Sequence, residues 1–525
     1  MSCHEKEKKL CHEKENKLVE LKVRMYRPGL GDCFLLTFKN DEGNLYRMLI
    51  DFGILMPTTG GADRMRTIAE DILSTTGSHI DTLVATHEHW DHISGFRYAR
   101  KILGLHPDET PEQPLQVDRV WLAWTENLED PQVKEIIAPN LEARSLAINA
   151  AMVGMGVERS TRIQELLRFD GPDEESDELL GARKKSGGTW LSQIMEDLRS
   201  GWGTPEYLEP SSESQPAKSV KEIPEFGIKI YVLGPSRKMR QLGGEQDPSS
   251  ETTHGLRLNQ MTAFMAAAFN QIEDTQTALA DMRLSQSDIN QLSRLSQPFD
   301  RSRAITIEEL EKACQEEDTG KDISTEVQSF YKEHYGLSKD KDSKDDWRRI
   351  DYDWLRISES LALQYVSHVN NTSLVLAIEL TESGKVLLFP GDAEFESWET
   401  WENREVKDLQ DLFRRTVLYK VGHHGSINAT LIEGGLDKMT NVDELTAMIP
   451  VDKVRAHRNE WNFPAPSLYE ELEKRTQGRI ILNCEDSECP TCEPSYDTGK
   501  FDEKDVTIIE DESSDKLWLD YILKL

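Results

Sequence analysis

Thr82-Leu83-Val84-Ala85-Thr86-His87-Glu88-His89-Trp90-Asp91-His92 decides how this chain is read. Its first five residues are apolar or β-branched, the composition of a buried strand. Three histidines and an aspartate then follow within six residues. In extended backbone, residues two apart point the same way, so His87 and His89 can grip one cation while Asp91 and His92, beyond a turn, face a second. Imidazole and carboxylate without thiolate suit zinc, manganese or iron in a working site rather than a closed structural zinc cage.

A site for two cations needs a bridging anion and a closing imidazole, and both occur at the ends of later apolar runs. Asp392 lies in Leu387-Leu388-Phe389-Pro390-Gly391-Asp392-Ala393-Glu394, and His423 and His424 lie in Lys420-Val421-Gly422-His423-His424-Gly425-Ser426. Gly-Asp alone is an ordinary turn and a His pair alone can close a strand. The three segments together, in this order, read as one ligand set.

Working outward, strand-like runs at 21–26, 33–38 and 46–51 form a meander with the turn Pro28-Gly29-Leu30-Gly31-Asp32, and a helix over 62–75 leads into the strand before the histidines. Further strands are expected at 117–123, 228–233, 373–380, 385–389, 416–421, 479–483 and 506–509, with a helix over 467–476 and an amphipathic end at 517–525. Two polar, helix-rich stretches interrupt this pattern. The organisation expected is therefore a charged tail (1–20), core (21–124), helical insertion (125–225), a core strand segment (226–235), a second helical insertion (236–365), core (366–483) and a Cys-containing loop and tail (484–525).

The 525 residues are 37% hydrophobic and 30% charged, a globular balance with length for two to four domains or one large core with insertions. The net charge of −33 repels polyanions at long range, so a nucleic-acid substrate would need a local basic strip. No apolar run is long enough to span a membrane and the N-terminus has no signal-peptide core, which predicts a soluble, cytoplasmic protein without a membrane partner. Seven cysteines fit a reducing compartment. Cys484, Cys489 and Cys492 are half of a zinc-finger pattern, which His457 or Cys3 could complete, and the Cys-His repeat at 3–10 and 11–18 reads as a charged tail.

With these segments in view, the chain resembles the metallo-β-lactamase fold superfamily, and within it the hydrolase domain joined to bacterial DNA-uptake channels, the ComEC family. The phrases that carry the resemblance are Gly29-Leu30-Gly31-Asp32-Cys33-Phe34, Leu49-Ile50-Asp51-Phe52-Gly53, His87 to His92, Val232-Leu233-Gly234-Pro235, Asn370-Asn371-Thr372-Ser373-Leu374-Val375-Leu376, Gly391-Asp392-Ala393-Glu394 and His423-His424-Gly425-Ser426, in family order. The resemblance implies an α/β fold, an αββα sandwich carrying two large helical insertions. It also implies two divalent ions, zinc or manganese: His87 and His89 on the first, Asp91 and His92 on the second, Asp392 bridging, and His424 or His423 completing the second site, with Ser426 favouring His424. Asp51, Asp32, Asn370 and Asn371 would support the ligands from behind. Two departures stand out. Asn370-Asn371 occupies the place where many members carry a further histidine, with His368 two residues upstream, and Ala465-Pro466 replaces a frequent His-Pro, leaving His457 or Arg458 as substitutes.

Paired cations activate a bridging hydroxide and offset charge on the attacked oxygens, so in-line hydrolysis of a phosphoester or attack on an acyl carbonyl is the expected chemistry. Asp91 would orient the nucleophile, and His423 or Lys420 would protonate the leaving group. The leading expectation is a nuclease or other phosphodiesterase acting on DNA or RNA, with Arg97-Lys101, Arg414-Arg415-Lys420 and Lys453-Arg455-Arg458 as candidate phosphate contacts. The alternative is a hydrolase of a small phosphodiester, such as a choline-phosphate-like ester or a signalling nucleotide, with the insertions as a roof. A third reading is a metal-binding interaction protein that engages a protein partner through its insertions, with Trp124, Trp190, Trp202, Trp347 and Trp354 as anchors.

Overall fold

The computed structural model describes residues 17–55, 60–106, 111–134, 190–210, 220–237, 355–402, 407–458, 461–483, 496–502, 504–513 and 515–525. The chain divides into two compact units, one made of Met1–Ile137, Arg168–Glu245 and Val366–Leu525 and the other of Ala138–Leu167 and Gln246–Tyr365. In the second unit the described residues are 355–365, which are helical. Everything below concerns the first unit. Among the described residues no helix is long and apolar enough to cross a membrane.

The first half supplies strands β1 (Leu18–Tyr26), β2 (Cys33–Asn40), β3 (Leu45–Phe52), β4 (His79–Ala85), β5 (Gln116–Ala123) and β6 (Glu206–Leu208), with helices α1 (Gly61–Thr76), α2 (Trp90–Tyr98), α3 (Arg100–Leu103) and α4 (Trp190–Ser200). The second half supplies β7 (Val220–Ile223), β8 (Ile228–Gly234), β9 (Val375–Leu380), β10 (Lys385–Phe389), β11 (Thr416–Lys420), β12 (Thr446–Ile449), β13 (Ile480–Leu482), β14 (Val506–Glu510) and β15 (Trp518–Lys524). Its helices are α5 (Leu355–Asn370), α6 (Phe395–Glu402), α7 (Lys407–Arg414), α8 (Lys453–Arg458) and α9 (Pro466–Thr476).

These strands form two mixed sheets, ordered β14-β15-β1-β2-β3-β4-β5-β6 and β13-β12-β11-β10-β9-β8-β7. Period-2 alternation explains why they stack. Leu21, Val23, Met25, Phe34, Leu36, Phe38, Tyr46, Met48 and Ile50 turn one way and pack against Ile228, Ile230, Leu376, Ile378, Leu387 and Phe389 of the second sheet. Phe34 meets Phe389 edge to face at 5.7 Å across this core. The alternate residues Leu35, Leu49, Phe52, Leu83 and Ala85 face outward into a second core with Met65, Ile68 and Ile72 of α1 and Trp90, Ile93 and Phe96 of α2. The second sheet buries its outer face under Trp398, Trp401 and Phe413. The expected αββα sandwich is present.

Two short strands, β6 and β7, fall within the stretch read from sequence as a helical insertion, and the tail supplies β14 and β15, which extend the first sheet past β1. Three- and four-residue strands are too short to display a period, which is why the sequence did not reveal them. β3 to β6 run parallel to one another, and so do β10 to β13. Every candidate ligand follows or ends one of these parallel strands at its carboxyl end, where such sheets place their sites.

Candidate metal centre

Asp51 ends β3 in the left-handed region (φ 57°), and His423 (φ 39°) and His424 (φ 53°) occupy it after β11. A side chain in that conformation costs about 1–3 kcal/mol, and here it aims the groups that converge. Asp51 ties the histidine loop together. Its Oδ1 accepts the Thr86 backbone N–H at 2.7 Å, and its Oδ2 accepts the Thr86 hydroxyl and His92 Nδ1–H, both at 2.8 Å. With Nδ1 donating to a carboxylate, His92 presents Nε2, which lies 3.0 Å from Asp392 Oδ2. The loop is also pressed against Gly53: a Cβ there would lie 2.3 Å from the Asp91 carbonyl carbon and 2.4 Å from His92 N.

His424 is oriented from behind in the same way. Its Nδ1–H donates to the Pro450 carbonyl at 2.6 Å, which turns Nε2 to Asp91 Oδ2 at 2.8 Å. His87 Nδ1 sits 3.1 Å from the Thr86 hydroxyl and 3.2 Å from the Ser373 hydroxyl, and its Nε2 lies 3.1 Å from His89 Nδ1. Asp392 follows β10; its backbone N–H donates to Ser373 Oγ at 3.0 Å, and its Oδ1 accepts the His423 backbone N–H at 2.9 Å.

Two triads result, His87, His92 and Asp392 in one and Asp91, Asp392 and His424 in the other, with ligand atoms within 4.8 Å of one another and all five residues buried. Asp392 belongs to both. His92 stands between the two: its Nε2 lies 3.0 Å from Asp392 Oδ2 and 3.6 Å from Asp91 Oδ2, and His89 lies beside His87 outside both triads. α2 starts at Trp90 with His89 as its N-cap, which is the turn that carries Asp91 and His92 into the cluster. Of the neighbouring histidines, His424 enters the cluster. His423 instead sets its Nδ1 3.1 Å from Ser426 Oγ and 3.4 Å from Asn370 Nδ2.

The electrostatics divide the cluster. Burial pulls His87 well below the ordinary imidazole range and His89 down to about 4, so both are neutral donors. Burial works against charge on His92 as well, but Asp392, Asp32, Asp51 and Asp91 outweigh it and hold the ring well above that range. His424 is raised against its own burial by Asp91. Asp392, likewise desolvated, is held well below the usual carboxylate range by His92 and Lys420.

Lys420 stands against the carboxylates of the cluster. It is buried, pairs with Asp32 and Asp392 Oδ1, and donates to the Gly391 carbonyl at 2.9 Å. Those carboxylates raise its pKa against the pull of burial, so it holds its proton and serves as an internal counter-charge. Burial draws His423 to about 4, so its ring is neutral. Asn370 and Asn371 support Glu394: Asn370 Nδ2 donates to Glu394 Oε1 at 2.8 Å, and Asn371 Oδ1 accepts the Glu394 backbone N–H at 3.1 Å. Asp32 lies behind the cluster, 3.8 Å from His92 Nδ1 and 3.9 Å from His424 Nδ1. Ser373 and Glu394 earned no role from the sequence, although each stands within a phrase that did. Their polar type beside Asn370 and Asp392 is the signal that could have found them.

Among the described residues the basic clusters do not form a strip at the centre. Arg415 stands at the opposite end of β11, bound to Glu379, Asp411 and the Gly384 carbonyl, with Arg414 beside it. Arg97 stacks over Trp190 at 3.9 Å, and Lys453 lies over Tyr469. Lys101 is exposed on α3. The side chains of Arg455, His457 and Arg458 lie outside the described residues, as do Cys3, Cys484, Cys489, Cys492, Trp347 and Trp354. His368 is on α5 and joins none of the ligand groups found among the described residues. Trp124 and Trp202 donate to the Pro235 and Leu115 carbonyls and serve the core.

Residues 26–115, which contain Asp51 and the His87 to His92 loop, match the family model of the metallo-beta-lactamase superfamily. The chain carries a metallo-beta-lactamase superfamily domain. No curated protein and no solved structure matches it. The donor set fits divalent cations. Five buried imidazole and carboxylate side chains converge in the two triads, and Asp91 Oδ1 is buried with no hydrogen-bond donor among the described residues, a costly arrangement unless a cation meets it. A metal-dependent hydrolase is the activity this family and this cluster support together.

Proposed function

We propose that the protein is a phosphodiesterase that works with two divalent ions, zinc or manganese. The observation that carries this reading is the pair of buried triads joined by Asp392. His87, His92 and Asp392 would hold one ion and Asp91, Asp392 and His424 the other, with His89 in reserve beside His87. Bound there, the ions supply an activated water and offset the charge on the phosphate oxygens.

The chain's own residues do the rest. Asp51 and the Pro450 carbonyl hold His92 and His424 in the tautomers that leave Nε2 toward the carboxylates. His423, neutral and beside Ser426 and Glu394, is placed to accept the proton that water loses as it adds to phosphorus and to return it to the alcohol oxygen as the P–O bond breaks. The ComEC resemblance supports nucleic acid as the substrate. The engagement of Arg415, Arg97 and Lys453 in contacts of their own supports a short nucleotide ester over a long duplex.

The test is hydrolysis of labelled single-stranded DNA, double-stranded DNA, RNA and bis(p-nitrophenyl) phosphate by metal-loaded protein, against Asp392→Ala. Turnover that the variant loses establishes the phosphodiesterase, and its dependence on substrate length separates a nuclease from a small-ester hydrolase. A metal-loaded protein inactive on all four substrates would refute the reading.

A further inference from the structure

Beside the ligand cluster the site is lined by aromatic rings. Phe463 lies 5.7 Å from His423 and 6.3 Å from His424, centroid to centroid, and Trp461 continues the row at 5.8 Å from Phe463. This loop is fastened to the histidine turn, for the Ala465 N–H donates to the Gly425 carbonyl at 2.7 Å. It also fits closely: Gly425 adopts φ 79°, and a Cβ there would lie 2.8 Å from Pro464 Cβ. The rings therefore keep their distance from His423 and His424 unless both loops move.

Trp461 and Phe463 are only half-buried, and Asn462 between them is exposed. Ile427, 78% exposed, stands in the same turn as the histidines. No charged residue occurs from Trp461 to Pro466. Among the described residues this flank of the centre offers ring faces, aliphatic carbon and one amide, a surface suited to a flat, uncharged ring with polar edges. Tilted rings at 43° and 55° are not a cage for a compact cation, whereas the Asn462 amide carries both donors and an acceptor, the combination that a base edge also carries.

We propose that Trp461 and Phe463 form a stacking platform for a nucleobase of the substrate and set its specificity, with Asn462 as the polar contact. This proposal rests on the phosphodiesterase reading for the chemistry, but not for the binding. Stacking of a base on an aromatic side chain is sequence-tolerant and requires no cation.

Two esters with the same leaving group isolate the base: thymidine 5′-(p-nitrophenyl phosphate) and methyl p-nitrophenyl phosphate. The wild-type protein is expected to favour the thymidine ester in kcat/KM. Trp461→Ala should lower that preference about tenfold, and Trp461→Phe should retain most of it. A wild-type preference that Trp461→Ala leaves intact, or no preference at all, overturns the platform while the phosphodiesterase stands. If neither ester is hydrolysed, the phosphodiesterase reading falls, and titration of AMP onto the Asp392→Ala protein decides the platform alone. Binding weakened about tenfold by adding Trp461→Ala upholds it. Equal or absent binding overturns it.

Discussion

Lys420→Met should destabilise the fold more than it affects any chemistry. The side chain is 2% exposed and faces Asp32 and Asp392, themselves 1% and 0% exposed. Methionine keeps much of the length and apolar stem but removes the only lysine or arginine charge paired with these carboxylates among the described residues. Removing one partner of a buried ion pair costs about 3–5 kcal/mol, because the remaining charge has lost both water and its counter-ion. That is a large part of the roughly 5–15 kcal/mol by which a folded domain exceeds its unfolded state.

The assay is urea unfolding of chelator-treated protein for the wild type, Lys420→Met, Asp32→Asn and the double variant. Neutralising Asp32 in the Lys420→Met background should recover part of the loss, giving a coupling of more than about 1 kcal/mol in the cycle. A Lys420→Met protein within about 1 kcal/mol of the wild type but catalytically dead would refute the counter-charge account and return Lys420 to the role of proton donor.

Gly53→Ala would bring a Cβ to 2.3–2.4 Å from the backbone of Asp91 and His92, where ordinary contact begins at 3.4 Å, so the histidine loop must retreat by about 1 Å. Stability should fall by at least about 1–3 kcal/mol and hydrolysis by about 100-fold, checked by thermal unfolding and turnover, and unchanged values would contradict the packing. Glu126 is raised from 4.5 to about 8 by burial and by Glu88, so its protonated form belongs to the folded state. The stability this contributes is full below about 4.5 and is lost as pH rises through about 8, so Glu126→Gln should flatten the unfolding midpoint across that window, and an unchanged pH profile would refute the assignment.

The sequence showed the core where alternation runs long enough to be read. β1, β2 and β3 each carry several inward residues two apart, and Asp51, the His87 to His92 loop, Asp392 and His424 all close apolar runs, so the strands and the members of the cluster could be named, while the sandwich was implied by the family resemblance. The start of α2 was not legible: the boundary that puts His89 at the cap and Asp91 and His92 on the helix goes with the close packing of that loop on Gly53, which no local pattern announces. β12 is fully buried over four residues and shows no period, and β14 and β15 join the first sheet through pairing with a strand nearly five hundred residues away. Trp461 and Phe463 drew no reading from the sequence, because their place beside the histidine turn comes from a tertiary contact.

The account rests most directly on Asp392 belonging to both triads, and metal content tests that claim. Protein loaded with zinc or manganese, desalted and analysed by mass spectrometry beside Asp392→Ala, should carry two ions per chain that the variant loses or fails to retain as a pair. A wild-type chain that retains none, or a variant with the same content as the wild type, would contradict the shared centre.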